Sequence, residues 1–132
     1  MTNSRSYGYV HHVGGLVGLH SWGEIKNCSV EKTSIECYYY GAVGAIAGAM
    51  NEVSRNITDC TVKECQIIKE GPEGVYPDWD PCFGIVVGYI YVNGTYTFTC
   101  AIENNKIKNA SSDQVYGEKP EGATVTFNGQ QI

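Results

Sequence analysis

The sequence predicts an all-β chain that folds as a right-handed parallel β-helix, or β-solenoid, of about three turns. Two observations predict it. A pair of sequence blocks recurs three times in the same order, and the residues between the blocks are typical of strands and corners. Repeats of 30 to 40 residues indicate stacked units that together bury one continuous core. The right-handed sense is the one expected of parallel crossover connections.

The first block is rich in glycine and small apolar residues. It reads Val-Gly-Gly-Leu-Val-Gly, then Val-Gly-Ala-Ile-Ala-Gly, then Phe-Gly-Ile-Val-Val-Gly, at residues 13–18, 43–48 and 83–88. The second block follows ten to twelve residues after each closing glycine, at residues 28–35, 60–67 and 100–107. Its consensus is a cysteine, a valine or isoleucine two positions later, and an isoleucine five positions after that.

The second block predicts ladders of equivalent residues. The cysteine and the aliphatic residue two positions later share one face of a strand, and the isoleucine begins another strand after a four-residue gap. Stacked turns bring equivalent residues together at a strand spacing of ~4.8 Å. The predicted ladders are Cys28, Cys60 and Cys100; Val30, Val62 and Ile102; and Ile35, Ile67 and Ile107.

A corner is predicted just before the cysteine in the first two repeats. Ile25 and Ile57 lie three residues before Cys28 and Cys60, the wrong parity for one straight strand with both side chains inward. The residues between include an asparagine and an aspartate, which tolerate the left-handed conformation of a sharp corner. The chain is therefore expected to turn there.

Each glycine-rich block has apolar or small residues at both parities, so a single strand would present two apolar faces. Such a strand is normally covered on both sides, and a bare patch of that kind marks an interaction site. We therefore expect self-association or a neighbouring domain on the outer face of this sheet, or a cover supplied by the strand at 123–127. One face holds Leu16, Ile46 and Val86; the other holds Val13, Gly15, Val17, Leu19, Val43, Ala45, Ala47, Ala49, Phe83, Ile85, Val87 and Tyr89.

The repeats divide the chain into a central solenoid and two framing segments. Residues 1–12 are expected to form a partial turn or cap, and residues 110–132 a polar link and a capping strand. Caps are expected because an open solenoid end exposes unpaired strand edges. The three-repeat solenoid covers 13–109, as 13–37, 38–69 and 80–109, with an inserted loop at 70–79.

Charge and hydropathy exclude two classes of partner. Nine basic residues against fourteen acidic ones give a net charge of −5. This argues against a nucleic-acid partner, because a protein that binds nucleic acid needs a basic surface. The longest apolar run, Gly41 to Met50, is about half the length of a membrane-spanning helix. The first six residues contain no apolar segment, so no signal peptide is expected in this sequence.

The inserted loop is the candidate ligand site. Its aromatic side chains could stack on the face of a sugar, since an aromatic ring offers an apolar plane with a polar edge. The alternative is a surface insertion without a binding role. The residues concerned are Tyr76, Asp78, Trp79 and Asp80, and the two aspartates are the only close pair of that type.

No residue is predicted to be catalytic, to bind a metal or to hold a cofactor. His11, His12 and His20 flank the first glycine-rich block. No nucleophilic residue lies at a spacing from them that would indicate a catalytic site. The cysteines lack the close spacing of a zinc site. The ladder cysteines are expected to be buried free thiols, because parallel Cβ vectors do not suit a disulfide. For the cysteines outside the ladder, a disulfide between Cys37 and Cys65 is the alternative.

Gly-Gly-Leu-Val-Gly at residues 14–18, followed by Ile-Lys-Asn-Cys-Ser-Val at 25–30, resembles the GLUG-type repeats of bacterial secreted and surface β-solenoid proteins. The resemblance extends over residues 13–109. The later copies depart from it, because Ala45 and Ile85 replace the second glycine and Thr97-Phe-Thr replaces Ile-x-Asn. The resemblance implies a β-solenoid in a surface or adhesin-like setting, and it transfers no catalytic residue.

The function favoured at this point is a non-enzymatic module of a bacterial surface or secreted protein, involved in adhesion or glycan binding. The expected location is extracellular or at the cell surface. One alternative is a fragment of a carbohydrate-active β-helix enzyme, a polysaccharide lyase or hydrolase. Such enzymes use acidic residues clustered with a basic one, and neither Arg5 nor Arg55 is close in sequence to Asp78 and Asp80. A purely structural spacer is the remaining alternative.

Overall fold

A computed structural model of the chain describes residues 5–8, 12–21, 23–37, 41–51, 56–69 and 82–132. Every regular element in these ranges is a β-strand, so the all-β prediction is confirmed. The described ranges contain no helix, and therefore none that is long and apolar enough to cross a membrane.

The strands fall into three successive rungs, each containing one copy of the two sequence blocks. The first rung holds β2 (His12–Gly14), β3 (Val17–His20), β4 (Ile25–Lys26), β5 (Ser29–Glu31) and β6 (Ser34–Cys37). The second holds β7 (Ala42–Gly44), β8 (Ala47–Met50), β9 (Asn56–Lys63) and β10 (Gln66–Lys69). The third holds β11 (Cys82–Gly84), β12 (Val87–Ile90), β13 (Gly94–Glu103) and β14 (Lys106–Ile107).

Further strands precede and follow the rungs. Strand β1 (Arg5–Gly8) comes before the first rung and pairs in parallel with β6. After the third rung come β15 (Ala110–Ser111), β16 (Tyr116–Glu118), β17 (Ala123–Phe127) and β18 (Gln130–Gln131).

Equivalent strands of successive rungs pair in parallel and build four sheets. Their strand orders are β1-β6-β10-β14-β15, β11-β7-β2, β16-β12-β8-β3 and β18-β17-β13-β9-β4, with β5 also paired to β9. Strands that follow one another along the chain within a rung therefore lie in different sheets. This is the arrangement of a parallel β-helix. Its right-handed sense stays a prediction.

The predicted aliphatic ladders stand in register. Val30 pairs with Val62 and Val62 with Ile102, while Ile35 pairs with Ile67 and Ile67 with Ile107. The members in the first and second rungs are buried, and Ile102 and Ile107 in the third rung are partly exposed. The ladder residues of the first two rungs therefore belong to the core, and those of the third rung pack against it.

The predicted corners are present in the first two rungs. Asn27 and Asp59 have φ values of 54° and 52°, in the left-handed region that these residue types tolerate. The third rung differs, because Phe98 and Cys100 are two residues apart where their partners Ile57 and Cys60 are three apart. Strand β13 therefore continues through this position without a corner, and the extra residue of the second rung forms a bulge.

A second series of corners was not predicted. Lys32, Glu64 and Asn104 have φ values of 47°, 53° and 54°, and each is followed by a buried residue. The buried residue of the third rung is Asn105. It accepts a hydrogen bond from the Cys65 N–H at 2.9 Å and donates one to the Val62 carbonyl at 3.0 Å. Its amide thus satisfies backbone groups that the corner below leaves unpaired.

The glycine-rich block is not a single strand, which corrects the sequence analysis. It bends at residues 15–16, 45–46 and 85–86, and each half is a short strand in a different sheet. The two halves, which we call the arms of the block, pack against each other through their backbones. A Cβ at Gly48 would lie 2.6 Å from Val13 N and 2.9 Å from Ala42 O, closer than real Cβ atoms approach.

In the second rung, residues that the sequence analysis placed on an apolar outer face are therefore buried. Ala45, Ala47 and Ala49 have no exposed surface, and Ala47 belongs to the core. The strand at 123–127 does not cover the block, because β17 pairs with β13 in another sheet. That part of the prediction is wrong, since a block folded into two arms already buries most of its apolar side chains.

The C-terminal end finishes with antiparallel strands. β15 pairs with β14 and β18 pairs with β17, both antiparallel, so neither sheet presents a parallel edge there. The side chain of Asn128, which follows β17, adds a contact to Cys100 in β13. Its amide accepts from the Cys100 N–H at 3.0 Å and donates to the Cys100 carbonyl at 2.8 Å. Antiparallel closure is a way to blunt the edge of a sheet.

The ladder makes a direct prediction for stability. Replacing Ile67, which is 1% exposed, by alanine should lower the free energy of unfolding by about 2–5 kcal/mol, because it leaves a cavity between two ladder neighbours. The next residue, Ile68, is half-buried and provides the matched control. Urea unfolding followed by circular dichroism measures both. Equal losses for Ile67→Ala and Ile68→Ala would contradict the assignment of Ile67 to the core.

Candidate functional site

The loop singled out in the sequence lies outside the described residues. Tyr76, Asp78, Trp79 and Asp80 fall in the range 70–81, so the predicted binding role of this loop stays a prediction. The chain nevertheless fixes where the loop is attached. It leaves the solenoid after Lys69, the last residue of β10, and returns at Cys82, the first residue of β11.

An aromatic cluster lies beside this point of return. We call it the tyrosine patch, and it consists of His12, Tyr89 and Tyr91. The rings of Tyr89 and Tyr91 meet edge to face, with centroids 4.6 Å apart and an interplanar angle of 75°. His12 packs on Tyr91 at 5.6 Å and 74°, and its Nε2 shares a hydrogen bond of 2.7 Å with Tyr91 Oη. Tyr91 is 45% exposed. Its contacts with His12 and Tyr89 therefore orient a ring that still faces solvent.

The rung register explains how residues 79 positions apart meet. His12 stands in the column of Ala42 and Cys82, and Tyr89 stands in the column of Ala49 and Leu19. The middle rung thus contributes an alanine to both columns. Its small side chains leave room for a histidine of the first rung to reach a tyrosine that follows β12 in the third.

Cys82 and Glu118 adjoin the patch. Burial raises the pKa of the Cys82 thiol to about 12, and a hydrogen bond to the Glu118 carboxylate acts in the same direction. Burial also raises the pKa of Tyr91, helped by the neighbouring Tyr89 and Cys82. Both groups are therefore protonated near neutral pH. The patch is a surface of apolar rings and uncharged donors, and the Cys82 thiol is a poor nucleophile.

The other histidines and acidic groups do not assemble a reactive centre in the described residues. His20 is 5% exposed and lies at the base of the column formed by Met50 and Ile90. Its buried Nε2 has no hydrogen-bond partner, and desolvation lowers its pKa. His11 lies outside the described residues. Within the described ranges, no three histidine, cysteine, aspartate or glutamate side chains converge on a metal-sized site.

The predicted cysteine ladder is present, and its thiols are free. Cys60 pairs with Cys100, and the Cys28 carbonyl accepts a hydrogen bond from Thr61 N at 2.9 Å. Cys60 and Cys100 are buried, whereas Cys28 in the first rung is half-buried. Cys65 is also a free thiol and donates to the Val30 carbonyl at 3.2 Å, so the alternative of a bridge to Cys37 is wrong.

An open cleft lies at the C-terminal end. This open cleft has a volume of about 740 Å³ and is lined by Ile102, Asp113, Gln114, Val115, Tyr116, Gly117, Phe127 and Ile132. Its wall is mainly apolar. The Gln114 amide is already committed, donating to the carbonyls of Phe83 and Tyr116 at 3.1 Å and 3.2 Å.

Comparison with known proteins gives one result, for the first repeat. The family model of the GLUG motif matches residues 9–35, which include both arms of the first glycine-rich block and the strands β4 and β5. The chain carries the GLUG motif. The GLUG motif is known from β-helix-like extracellular repeat proteins, which agrees with the parallel strand order seen here. No curated protein and no solved structure gives a significant match to the chain.

The buried thiols of Cys60, Cys65 and Cys100 should react slowly. Burial raises the pKa of Cys60 and of Cys65, and raises that of Cys100 to about 12, so little thiolate is present near neutral pH. Titration with a thiol reagent should show these three as protected in the native protein. After unfolding without reductant, at least the five thiols of Cys28, Cys60, Cys65, Cys82 and Cys100 should appear. A smaller number would mean that a disulfide is present among them.

His20 should make stability depend on pH. Its pKa is below 6.5 in the folded protein, so the unfolded chain binds the proton more strongly. The free energy of unfolding should therefore fall as pH is lowered from about 6.5, and level off once the folded form also binds the proton. His20→Met, which copies Met50 in the same column, should remove this component. Urea unfolding between about pH 8 and about pH 5 measures the difference. A constant difference between the two proteins would contradict the prediction.

Proposed function

We propose that this chain is a non-enzymatic β-helix module of a bacterial surface or secreted protein, and that it binds glycans through the tyrosine patch. The observation that carries the proposal is the exposed Tyr91 ring, fixed in orientation by Tyr89 and by the hydrogen bond to His12. The GLUG motif supports the extracellular setting.

The chemistry of the patch suits a sugar ring. One face of a pyranose presents C–H groups that pack on an aromatic plane, while its hydroxyls need hydrogen-bond partners around the rim. The Tyr91 phenol and the His12 imidazole supply polar atoms beside the rings. Because the ring of Tyr91 is held by its contact with Tyr89 and by the hydrogen bond to His12, little side-chain freedom is lost on binding, and such a loss is one of the costs of association.

Charge selects among glycans. The chain has a formal net charge of −5, and Glu118 stands near Cys82 at the margin of the patch. A polyanionic polysaccharide would meet repulsion here, whereas a neutral glycan would not. We therefore assign neutral glycans as the preferred class.

The inserted loop would extend the same surface. Pro81 is bonded to Cys82, and the Cys82 thiol adjoins Tyr91, so the loop returns to the solenoid at the patch. In this proposal Tyr76 and Trp79 contribute further aromatic surface to the glycan site. The sequence and the described residues thereby support one site rather than two.

The experiment begins with a glycan array, followed by calorimetric titration of a neutral glycan that binds. Tyr91→Ala should raise the Kd at least about tenfold, or about 1.4 kcal/mol, because it removes the exposed ring. Tyr91→Phe keeps the ring and loses the bond to His12, so its Kd should lie between those of the alanine variant and the unchanged protein.

The control is Tyr116→Ala, which removes a half-buried tyrosine at the C-terminal cleft. It should leave the Kd unchanged. Equal binding by Tyr91→Ala and the unchanged protein would place the site elsewhere. Absence of binding to every glycan on the array would favour a structural spacer, and release of new reducing ends from a polysaccharide would contradict the non-enzymatic assignment.

A further inference from the structure

Two thiols of the cysteine ladder, those of Cys28 and Cys60, point in the same direction. The Cys28 thiol donates to the Lys26 carbonyl at 3.3 Å, and the Cys60 thiol donates to the Thr58 carbonyl at 3.4 Å. Lys26 and Thr58 are themselves register partners on the parallel strands β4 and β9. Because the same local bond recurs on adjacent strands, the two side chains share one orientation, and their sulfur atoms repeat the strand spacing.

Backbone hydrogen bonds hold this spacing on both sides of the two thiols. The Asn27 N–H donates to the Thr58 carbonyl at 3.0 Å, and the Thr61 N–H donates to the Cys28 carbonyl at 2.9 Å. Neighbouring strands of a sheet lie about 4.8 Å apart. A disulfide does not suit parallel side chains at this distance, because it requires sulfur atoms about 2.0 Å apart and a dihedral angle near about 90°. Cys28 and Cys60 are accordingly free thiols.

The strand spacing does suit one metal ion held between two sulfur atoms. A zinc–thiolate bond measures about 2.3 Å, and two bonds of that length on opposite sides of an ion join sulfur atoms about 4.6 Å apart. Thiolate ligands select soft ions such as Cu(I), which accept two ligands in line. Structural zinc needs four ligands, whereas the described residues contain no cluster of three or more metal-ligating side chains. The pair therefore favours a soft, two-coordinate ion.

The third cysteine of the ladder is placed differently. Cys100 pairs with Cys60, but β13 runs through this position without the left-handed corner that precedes Cys28 and Cys60. The backbone N–H and carbonyl of Cys100 are bonded to the side chain of Asn128. Among the ladder cysteines, Cys28 and Cys60 therefore share the corner that orients the thiols, and Cys100 does not.

Burial and charge around the pair also suit a cation. Cys28 is half-buried and Cys60 is buried, so the pair is reached from solvent at the Cys28 end. Burial raises the pKa of the Cys60 thiol, and the charges of the adjacent Cys28 and Asp59 add to this shift. A cation bound between the sulfur atoms would offset these negative charges and favour the thiolate form.

We propose that Cys28 and Cys60 bind one soft monovalent ion of the Cu(I) class between their sulfur atoms, in linear two-coordinate geometry. On binding, two S–H bonds break, two metal–sulfur bonds form and two protons pass to the solvent, with no change of oxidation state. Because the strands place both thiols in advance, the pair binds the ion as a chelate, whereas a competing monothiol has to supply two molecules. The bound ion joins the first rung to the second.

Native mass spectrometry of the reduced protein with Ag(I), a soft ion that is stable in air, tests the proposal. The ion is supplied as its nitrate in chloride-free buffer that contains excess glutathione, which removes Ag(I) from single thiols. One Ag(I) should remain bound per chain, and a pH indicator should report the release of about two protons per ion. Zn(II) should not be retained under the same conditions, because two thiolates leave its coordination incomplete.

Serine variants identify the ligands. Cys28→Ser and Cys60→Ser should each weaken Ag(I) binding at least about a hundredfold, because serine keeps a donor for the backbone carbonyl but removes the soft sulfur. The control Cys82→Ser removes a free thiol outside the ladder and should leave binding unchanged, and so should Cys100→Ser.

Circular dichroism of each variant separates loss of the site from loss of folding. Cys28 is half-buried, so Cys28→Ser should keep the strand spectrum and is the decisive variant if Cys60→Ser unfolds. Failure of the unchanged protein to retain Ag(I) against glutathione would overturn the proposal. Retention by folded Cys28→Ser, loss in Cys82→Ser or in folded Cys100→Ser, or equal retention of Zn(II) would overturn it as well.

Discussion

The structure depends on the contact between the backbones of the two arms of each glycine-rich block. A Cβ at Gly48 would lie 2.6 Å from Val13 N, and one at Gly88 would lie still closer to Val43 N, so only glycine allows the arms to meet. The contact also joins neighbouring rungs, because Gly48 belongs to the second rung and Val13 to the first. The same glycines therefore allow the chain to bend within each block and set the register between neighbouring rungs.

With the register set in this way, the side chains of each column are placed one above another. The aliphatic columns close the core, and the alanine positions of the middle rung open space on the surface. That space allows His12 of the first rung to bond Tyr91 of the third. The tyrosine patch therefore depends on small residues in the second rung, which contributes no ring to it.

Features that depend on local residue types could be predicted from the sequence. The ladders follow from the recurring spacing, and the corners at Asn27 and Asp59 follow from side chains that tolerate positive φ. The corners at Lys32 and Glu64 escaped notice because long charged residues carry no such signal. Alternation in the glycine-rich block could not distinguish one two-faced strand from two short arms, because both place apolar residues at every position. The patch was missed because its contacts join residues far apart in sequence.

Among the described residues, the C-terminal end of the strand stack is closed by a side-chain amide and by antiparallel strands. At the C-terminal end, the Asn128 amide takes the place of a further strand by bonding both the N–H and the carbonyl of Cys100. Antiparallel strands then turn the sheet edges away from parallel growth. In the described part of the chain, the β3 edge has neither device, and the run from His12 to Ser21, which holds β2 and β3, lacks the charges that β4 and β5 carry.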